Sequence, residues 1–293
     1  MQVPAVATPI SAEAAALLVE VKDCFGRPSY RPPLLPDVAI KIQDLARDPN
    51  VDLQQVVATL QEDNLLSALV LRRAQSAWFS GRSKIVSLKD AILRIGTKGL
   101  RDLVWEVAFQ SRVLASKAFT GELNQLRQHS LLTAYVARLV AGKTNVPSDH
   151  AFLVGLVHDI GIAAMLVVIA QNKLQAKADL VHVMEVVRIG HQETSGLIAK
   201  LWKLPKELEG VLGRHHDRDL LTSPDPLLSV LVVAEHLAHQ VAADGAGQTD
   251  RTVADSQLAQ ASSVLGLSRP QREALLVEAG ALLERQGAIG SAD

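Results

Sequence analysis

The dipeptide His158–Asp159 is the position in the sequence where specific chemistry is most strongly indicated. It interrupts an apolar stretch at 151–170, between the strings VGLV and IAAMLVV. An imidazole nitrogen and a carboxylate oxygen are both ligands for divalent metal ions, and one aspartate can bridge two ions. Burying an ionisable pair beside an apolar core has a free-energy cost. Either a bound metal or a hydrogen-bond network that holds the helices in register must offset this cost. For the dipeptide alone, the structural network is the simpler interpretation.

Further imidazoles recur along the second half of the chain, and the assembled pattern is more specific than any one member. His129 lies on a helical face with Leu126 and Val136, and Glu235 lies inside an apolar helix. The candidate metal ligands are His129, His158, Asp159, His191, His215, His216 and Glu235, with His158 and Asp159 as the catalytic candidates. The histidines that fit no site pattern are interpreted as surface or satisfied helix residues: His150, His182, His236 and His239.

The elements that position these residues are predicted to be helices. The chain has 293 residues, of which 48% are hydrophobic but only 3% aromatic. An apolar content dominated by Leu and Ala favours packed helices over a sheet, and no alternation with a period of two is evident. A net charge of −1 provides no general attraction for nucleic acid or an acidic membrane. With Cys24 as the only cysteine, no internal disulfide and no cysteine zinc site can form, which fits a cytoplasmic location.

The apolar stretch 151–170 has the composition of a membrane span, but a charged Asp159 near its centre would be costly at bilayer depth. We therefore expect a buried helical segment. The first residues also lack the basic start and apolar block of a signal peptide.

Capping signals and prolines divide the chain into three parts. Asp52 is a predicted N-cap, Ser87 and Asp90 form a predicted capping box, and Gly96 is expected to end the helix that this box begins. The expected parts are an N-terminal helix with a proline-rich strap (1–30), a two-part helical domain (31–118 and 119–240) and a helical extension (241–293).

Six strings of the chain resemble the HDOD group, the HD-related output domains of bacterial signalling, within the HD superfamily of metal-dependent phosphohydrolases. The resemblance covers roughly residues 31 to 240. The strings are LLPDVAIKIQDLARDPNVDLQQVVATLQEDNLLSALVLRRAQSA (34–77), SLKDAILRIG (87–96), QHSLLTAYVARLVA (128–141), AFLVGLVHDIGI (151–162), GHQETSGLIAKLWKLP (190–205) and RHHD (214–217). The first two strings distinguish this group from catalytic HD enzymes, and the resemblance implies an all-α fold with an N-terminal bundle packed on an HD-like bundle.

The resemblance also implies how the candidate ligands would divide between two metal ions. The positions matching His129, His158 and Asp159 would hold one ion, and His191, His215 and His216 would hold a second, bridged by Asp159. A closing aspartate usually completes the first site, and Glu235 is the nearest candidate here. Ile162 stands where cyclic-di-GMP phosphodiesterases of the HD-GYP group have a lysine, and their Gly-Tyr-Pro signature is missing, so this hydrolysis is not expected.

Three functions follow from the resemblance, in order of preference. The first is a non-catalytic cytoplasmic regulatory module that binds other signalling proteins in trans. Its aliphatic tail helix (271–286) is expected to pack either on the domain or on a second copy, which would give a homodimer. The second is a metal-dependent phosphohydrolase acting on a nucleotide or a phosphodiester. The third is a sensor that binds a nucleotide without cleaving it. One or two ions of iron, manganese, nickel or zinc are the expected cofactors, and neither direct nucleic-acid binding nor membrane association is expected.

Overall fold

All regular elements in the described part of the chain are helices, which confirms the predicted all-α class. The structure is a computed structural model, and it describes residues 10–32, 37–48, 50–76, 79, 85–113, 118–176, 178–216, 220, 223–243 and 255–290. Residues 33–36, the end of the proline-rich segment 27–36, lie outside these ranges. The helices are α1 Ala12–Gly26, α2 Asp37–Leu45, α3 Leu53–Gln61, α4 Asn64–Ala74, α5 Leu88–Ala108, α6 Thr120–Ala141, α7 Ser148–Val157, α8 Ile160–Gln171, α9 Leu180–Leu201, α10 Lys206–Leu212, α11 Pro226–Ala243, α12 Asp255–Leu265 and α13 Arg269–Gly290.

The predicted helix starts are made by side chains that accept hydrogen bonds from the first helical amides. Asp52 caps α3 through the amide of Gln54, and Ser87 and Asp90 form the reciprocal capping box of α5. Gly96 breaks the helical backbone, as expected. It takes a left-handed φ of 77°, which glycine adopts without steric cost, and a second helical segment follows directly across this kink and runs to Ala108.

Two apolar clusters form the interior. The smaller cluster joins α2, α3, α4 and α5 around side chains such as Ile42, Leu60 and Leu66. The larger cluster joins α6 to α13, with α7 and α8 at its centre, and it surrounds the candidate site. The described residues therefore have two apolar interiors, one on each side of α5.

Helix α1 packs on the larger cluster, against α8 and α9. Its buried face consists of Ala14, Leu17, Val21 and Cys24, and Ser11 at its N-cap donates a hydrogen bond to Glu185 of α9. Cys24 is buried. The N-terminal helix thus covers the outer surface of the half that carries the candidate ligands.

The C-terminal end of α5 joins the two halves, since residues of this segment belong to both clusters. Trp105 donates its indole N–H to Gln43 of α2 at 3.0 Å. The next residue, the buried Glu106, accepts hydrogen bonds from Arg73 of α4 and from the hydroxyl of Tyr135 of α6. Polar contacts therefore bridge helices of the two halves through one segment of α5.

The segment Ser148–Gln171 is long and apolar enough to span a membrane by length and composition alone, but 94% of an apolar 18-residue stretch within it is buried inside the molecule. It is not one continuous helix, because a turn at 158–159 separates α7 from α8. This burial agrees with the expectation of a core segment.

Candidate metal centre

The turn between α7 and α8 holds the His-Asp dipeptide. Helix α7 ends at Val157 and α8 begins at Ile160, so His158 and Asp159 are the two connecting residues. Asp159 takes φ −97° and ψ 17°, a conformation typical of the second central residue of a tight turn. Both side chains are buried, with exposures of 0% for His158 and 2% for Asp159. The turn therefore presents both groups inside the core.

Two glycines allow the neighbouring helices to approach this turn closely. A Cβ atom on Gly155 of α7 would lie 2.7 Å from the Cα atom of Ala134 in α6, and one on Gly161 of α8 would collide with the backbone oxygen of His191 in α9. The amide of Gly161 also donates a hydrogen bond of 2.9 Å to the hydroxyl of Ser195. Because α6 and α9 carry further imidazoles, these close approaches set the distances within the site.

One carboxylate oxygen of Asp159 faces the imidazoles of α9 and of the turn after α10. Asp159 Oδ1 lies 3.4 Å from His191 Nε2 and 3.4 Å from His215 Nε2. His216 completes this group, with its Nε2 atom 2.9 Å from His191 Nε2. His216 is exposed, whereas the other three residues are buried, so this end of the site reaches the surface.

The other carboxylate oxygen faces a second pair of imidazoles. Asp159 Oδ2 lies 3.4 Å from His158 Nε2 and 3.9 Å from His129 Nε2. The two Nε2 atoms are 3.2 Å apart. Each oxygen of one aspartate thus faces a different imidazole pair, as a bridging carboxylate between two ions would require. Hereafter, the His/Asp cluster means His129, His158, Asp159, His191, His215 and His216.

Backbone carbonyls orient three of these rings. A carbonyl oxygen can only accept, so each Nδ1 atom must carry the proton, and each Nε2 atom is directed towards Asp159. The three bonds are His158 Nδ1 to Gly155 O at 2.9 Å, His191 Nδ1 to Val187 O at 3.0 Å and His215 Nδ1 to Leu212 O at 2.8 Å. His215 Nε2 is buried and makes no hydrogen bond, although it lies 3.4 Å from Asp159 Oδ1. An ion beside it would satisfy this nitrogen, so the residues present fit a divalent metal.

Without a metal, the cluster would have to retain protons. Burial alone would lower the pKa of His158, but the negative charge of Asp159 and a hydrogen bond to it raise this pKa to about 9. Burial would raise the pKa of Asp159, yet the neighbouring His158 holds it well below its usual range. The pKa of His216 is lowered, first by partial enclosure of the ring and then by the nearby His215 and His191, although part of its surface reaches solvent. The carboxylate is therefore charged at neutral pH and attracts cations.

The structure adds one residue to the predicted set. Glu235 is buried in α11 and forms a group with His129 and His239, whose ligand atoms all lie within 4.8 Å of one another. His239, which the sequence analysis placed outside any site, thus lies beside two of the predicted ligands. Its spacing of four residues from Glu235 was the available signal, because this spacing places both side chains on one helix face. In contrast, His182 lies at the start of α9, where it contacts Asp179.

The comparison with protein families matches the HDOD domain to residues 33–218. Among curated proteins, an uncharacterized protein of Treponema pallidum (strain Nichols) is 27% identical in an alignment of 215 residues that covers 69% of this chain. The chain spans about two-fifths of the length of that relative, since the alignment covers 41% of it.

Solved structures with the same fold include an HDOD domain protein of unknown function from Geobacter sulfurreducens. It is 21% identical, with a TM-score of 0.69, over 94% of this chain and 97% of that one. A protein from Marinobacter aquaeolei VT8, named "Putative signal transduction protein", is 18% identical with a TM-score of 0.70, over 98% of this chain and 67% of that one. A protein from Shewanella amazonensis SB2B, named "Putative metal-dependent phosphohydrolase", is 20% identical with a TM-score of 0.62, over 88% of this chain and 99% of that one. At these identities, the likeness establishes the shared fold alone.

Proposed function

Because the chain belongs to the HDOD domain family, we propose that it is a regulatory signalling module whose His/Asp cluster binds one or two divalent metal ions without catalysing hydrolysis. One observation carries the metal-binding part of this proposal. Three imidazoles, each held by a backbone carbonyl, direct their Nε2 atoms at the oxygens of one buried aspartate. A set of nitrogens with one bridging carboxylate suits iron, manganese, nickel or zinc.

In this proposal, the His/Asp cluster links helices that are distant in sequence. It joins α6, the turn between α7 and α8, α9 and the turn after α10, so an ion held there would add a cross-link between them. The bound ion would supply positive charge to Asp159 and to the surrounding nitrogen donors. The surfaces of these helices would then be available to another signalling protein in trans in an arrangement that depends on metal. The name of the Marinobacter protein supports a signalling role.

The environment of Asp159 favours binding over turnover. Four of the six cluster residues have exposures of 5% or less, so little of the cluster is accessible to a substrate. Ile162, one turn beyond the dipeptide, is apolar and buried, and it offers no positive charge to a phosphate group. Both features disfavour hydrolysis of a phosphodiester at Asp159.

A second candidate function is phosphodiester hydrolysis. It is favoured by the exposed position of His216, which leaves one end of the cluster open to solvent. The name of the Shewanella protein points the same way. In that case Asp159, His191, His215 and His216 would hold an ion that activates water for attack on phosphorus.

Metal analysis of the purified full chain tests the proposal. We expect close to one or two ions of iron, manganese, nickel or zinc per chain by mass spectrometry, and loss of this metal in Asp159→Asn and His158→Ala. His182→Ala is the matched control, because this histidine lies outside the cluster, and it should retain the metal content. Thermal melts of each variant show whether the fold persists, since removing one member of a buried polar group can unfold a protein.

The same samples should be assayed for turnover of bis(4-nitrophenyl) phosphate. Bound metal without turnover supports the proposal. Turnover that is lost in Asp159→Asn establishes the second candidate. A folded wild-type protein that cannot be loaded with any of the four metals contradicts both, and nucleotide binding without turnover indicates a sensor instead.

A further inference from the structure

We propose that a cleft between α11, α12 and α13 binds a small organic anion with an apolar body, at a site separate from the His/Asp cluster. The cleft has a volume of about 200 Å³, and its lining residues lie within 236–276, beyond the range 33–218 that the family model matches. None of the described residues that line it belongs to the His/Asp cluster. The inference therefore goes beyond the proposed function and does not depend on it.

The guanidinium of Arg272 is the anchor for the anion. Its Nη1 atom donates a hydrogen bond of 3.2 Å to the hydroxyl of Ser262 in α12, which holds the side chain against that helix. Its Nε atom is buried and has no hydrogen-bond partner in the described part of the chain. A buried donor without a partner has a free-energy cost. A carboxylate or phosphate that binds the edge formed by Nε and Nη2 would remove this cost.

A second guanidinium, that of Arg269, lies at the mouth of the same cleft. Arg269 and Arg272 are among the first four residues of α13, where the helix dipole favours anions and disfavours cations. Arg269 is paired with Glu273 at 2.8 Å, and its side chain is 83% exposed. Two guanidinium groups against one carboxylate leave positive charge at this helix end. A bound anion would offset an arrangement that is unfavourable for the helix by itself.

The walls of the cleft are apolar and limit the size of the ligand. Each of the three helices contributes a leucine: Leu237 from α11, Leu258 from α12 and Leu276 from α13. Clefts for drug-sized ligands measure about 300 to 1,000 Å³, so this cleft suits a smaller molecule than a nucleotide. A short alkyl or acyl chain with a phosphate or carboxylate head matches both the leucines and the arginines. Such a ligand would contact all three helices and join the C-terminal extension to α11.

Calorimetric titration of the full chain tests the inference with four probes. Hexyl phosphate and hexanoate carry both an anionic head and an apolar body, whereas inorganic phosphate has only the head and hexanol only the body. We expect at least one of the first two to bind at one site per chain, more tightly than inorganic phosphate and hexanol do. The tighter of the two identifies the head group that the arginines select.

Substitutions then assign the binding to this cleft. Arg272→Met keeps the length of the side chain but removes the guanidinium, and it should weaken binding at least about tenfold, as expected for the loss of a hydrogen bond between charged groups. Arg272→Lys keeps the charge without the planar fork and should weaken binding less. Glu273→Gln should strengthen binding, because it removes a negative charge beside the anion. Arg47→Met is the matched control, since Arg47 contacts Asp44 in the other half of the molecule, and it should leave the affinity unchanged.

Three results would overturn the inference: a folded wild-type protein that binds neither hexyl phosphate nor hexanoate, equal affinity for hexanol, or wild-type affinity in a folded Arg272→Met protein. If Arg272→Met does not fold, unchanged affinity in both Arg272→Lys and Glu273→Gln would overturn it.

The variant Asp159→Asn separates this inference from the proposed function. Asp159→Asn and treatment with a chelator should both leave the affinity for the probe unchanged, because the cleft does not include the His/Asp cluster. Loss of binding in a folded Asp159→Asn protein would place the anion on a metal ion at the cluster and would contradict the inference. If the protein instead binds no metal at all, the proposed function fails, while binding of the probe and its loss in Arg272→Met still support this site.

Discussion

The Nδ1 atom of His158 donates a hydrogen bond to the carbonyl of Gly155, so Nε2 is the nitrogen that can hold either a proton or a metal ion. The nearest carboxylate, Asp159, is charged and attracts both. Proton and metal therefore compete for the same nitrogen, and pH controls which of them the site holds.

Stability of the metal-free protein should fall as the pH rises from 6.5 to about 9. Burial disfavours the charged imidazole of His158, but Asp159 overcompensates and raises the folded-state pKa from 6.5 to about 9. A pKa that is higher in the folded state stabilises the protein fully below pH 6.5, and this contribution is lost as the pH passes through 9. Urea unfolding across this range measures the effect.

The control for this prediction is His158→Gln, in which the midpoint of urea unfolding should depend less on pH over the same interval. Metal affinity should change in the opposite direction and increase with pH, because the ion needs the neutral ring. Identical pH profiles for the wild type and His158→Gln would show that this proton does not stabilise the fold.

At the scale of helices, the pair α7 and α8 determines the position of the dipeptide. This pair carries glycine on both sides of the turn, at 155 and 161, where α6 and α9 approach most closely. Because glycine has no side chain, α6 and α9 can lie close to α7 and α8, which places His129 and His191 beside Asp159.

Gly161→Ala should destabilise the protein by about 1 to 3 kcal/mol and lower its metal affinity. The added methyl group would collide with the backbone oxygen of His191, so α8 and α9 would have to separate, and overpacking of this kind typically has this cost. Chemical unfolding and ZnCl₂ titration measure the two effects.

Gly210→Ala in α10 is the matched control, since nothing lies within 4 Å of its added methyl group. This change should leave stability unchanged or raise it by about 0.4 to 1 kcal/mol, because alanine favours the helix. If both variants were equally stable, the close approach of α8 and α9 would not be needed for the fold.

At the scale of the whole molecule, the two halves are joined by polar groups as well as by apolar packing. Arg101 and Asp102 of α5 are both buried, and Asp102 accepts a hydrogen bond of 2.9 Å from Arg138 of α6. Glu106 connects α4 to α6 through Arg73 and Tyr135. Changes in one half should therefore affect the stability of the other.

Glu106→Ala should lower the free energy of unfolding by about 3 to 5 kcal/mol, because it removes the common partner of Arg73 and Tyr135 within a buried ion pair. Urea unfolding followed by circular dichroism measures the loss. Glu273→Ala breaks the exposed pair with Arg269 and should change stability by less than about 1 kcal/mol. Equal effects of the two substitutions would mean that the polar contacts do not couple the halves.

The sequence by itself determined the helical class, several helix starts and the types of ligand. Caps such as Asp52 and the box of Ser87 and Asp90 act through hydrogen bonds that span only a few residues, so they can be identified from the sequence alone. Residue chemistry likewise identified the members of the His/Asp cluster, and the structure brings all of them together.

Only the tertiary structure decided which imidazole faces which oxygen of Asp159, that His239 joins Glu235 and His129, and that α1 covers α8 and α9. These facts depend on contacts between residues far apart in the chain, and local patterns do not encode such distances. Gly96 shows the same limit within one element: the glycine itself predicts a break in the helix, but only the structure shows that a second helical segment follows directly and runs to Ala108.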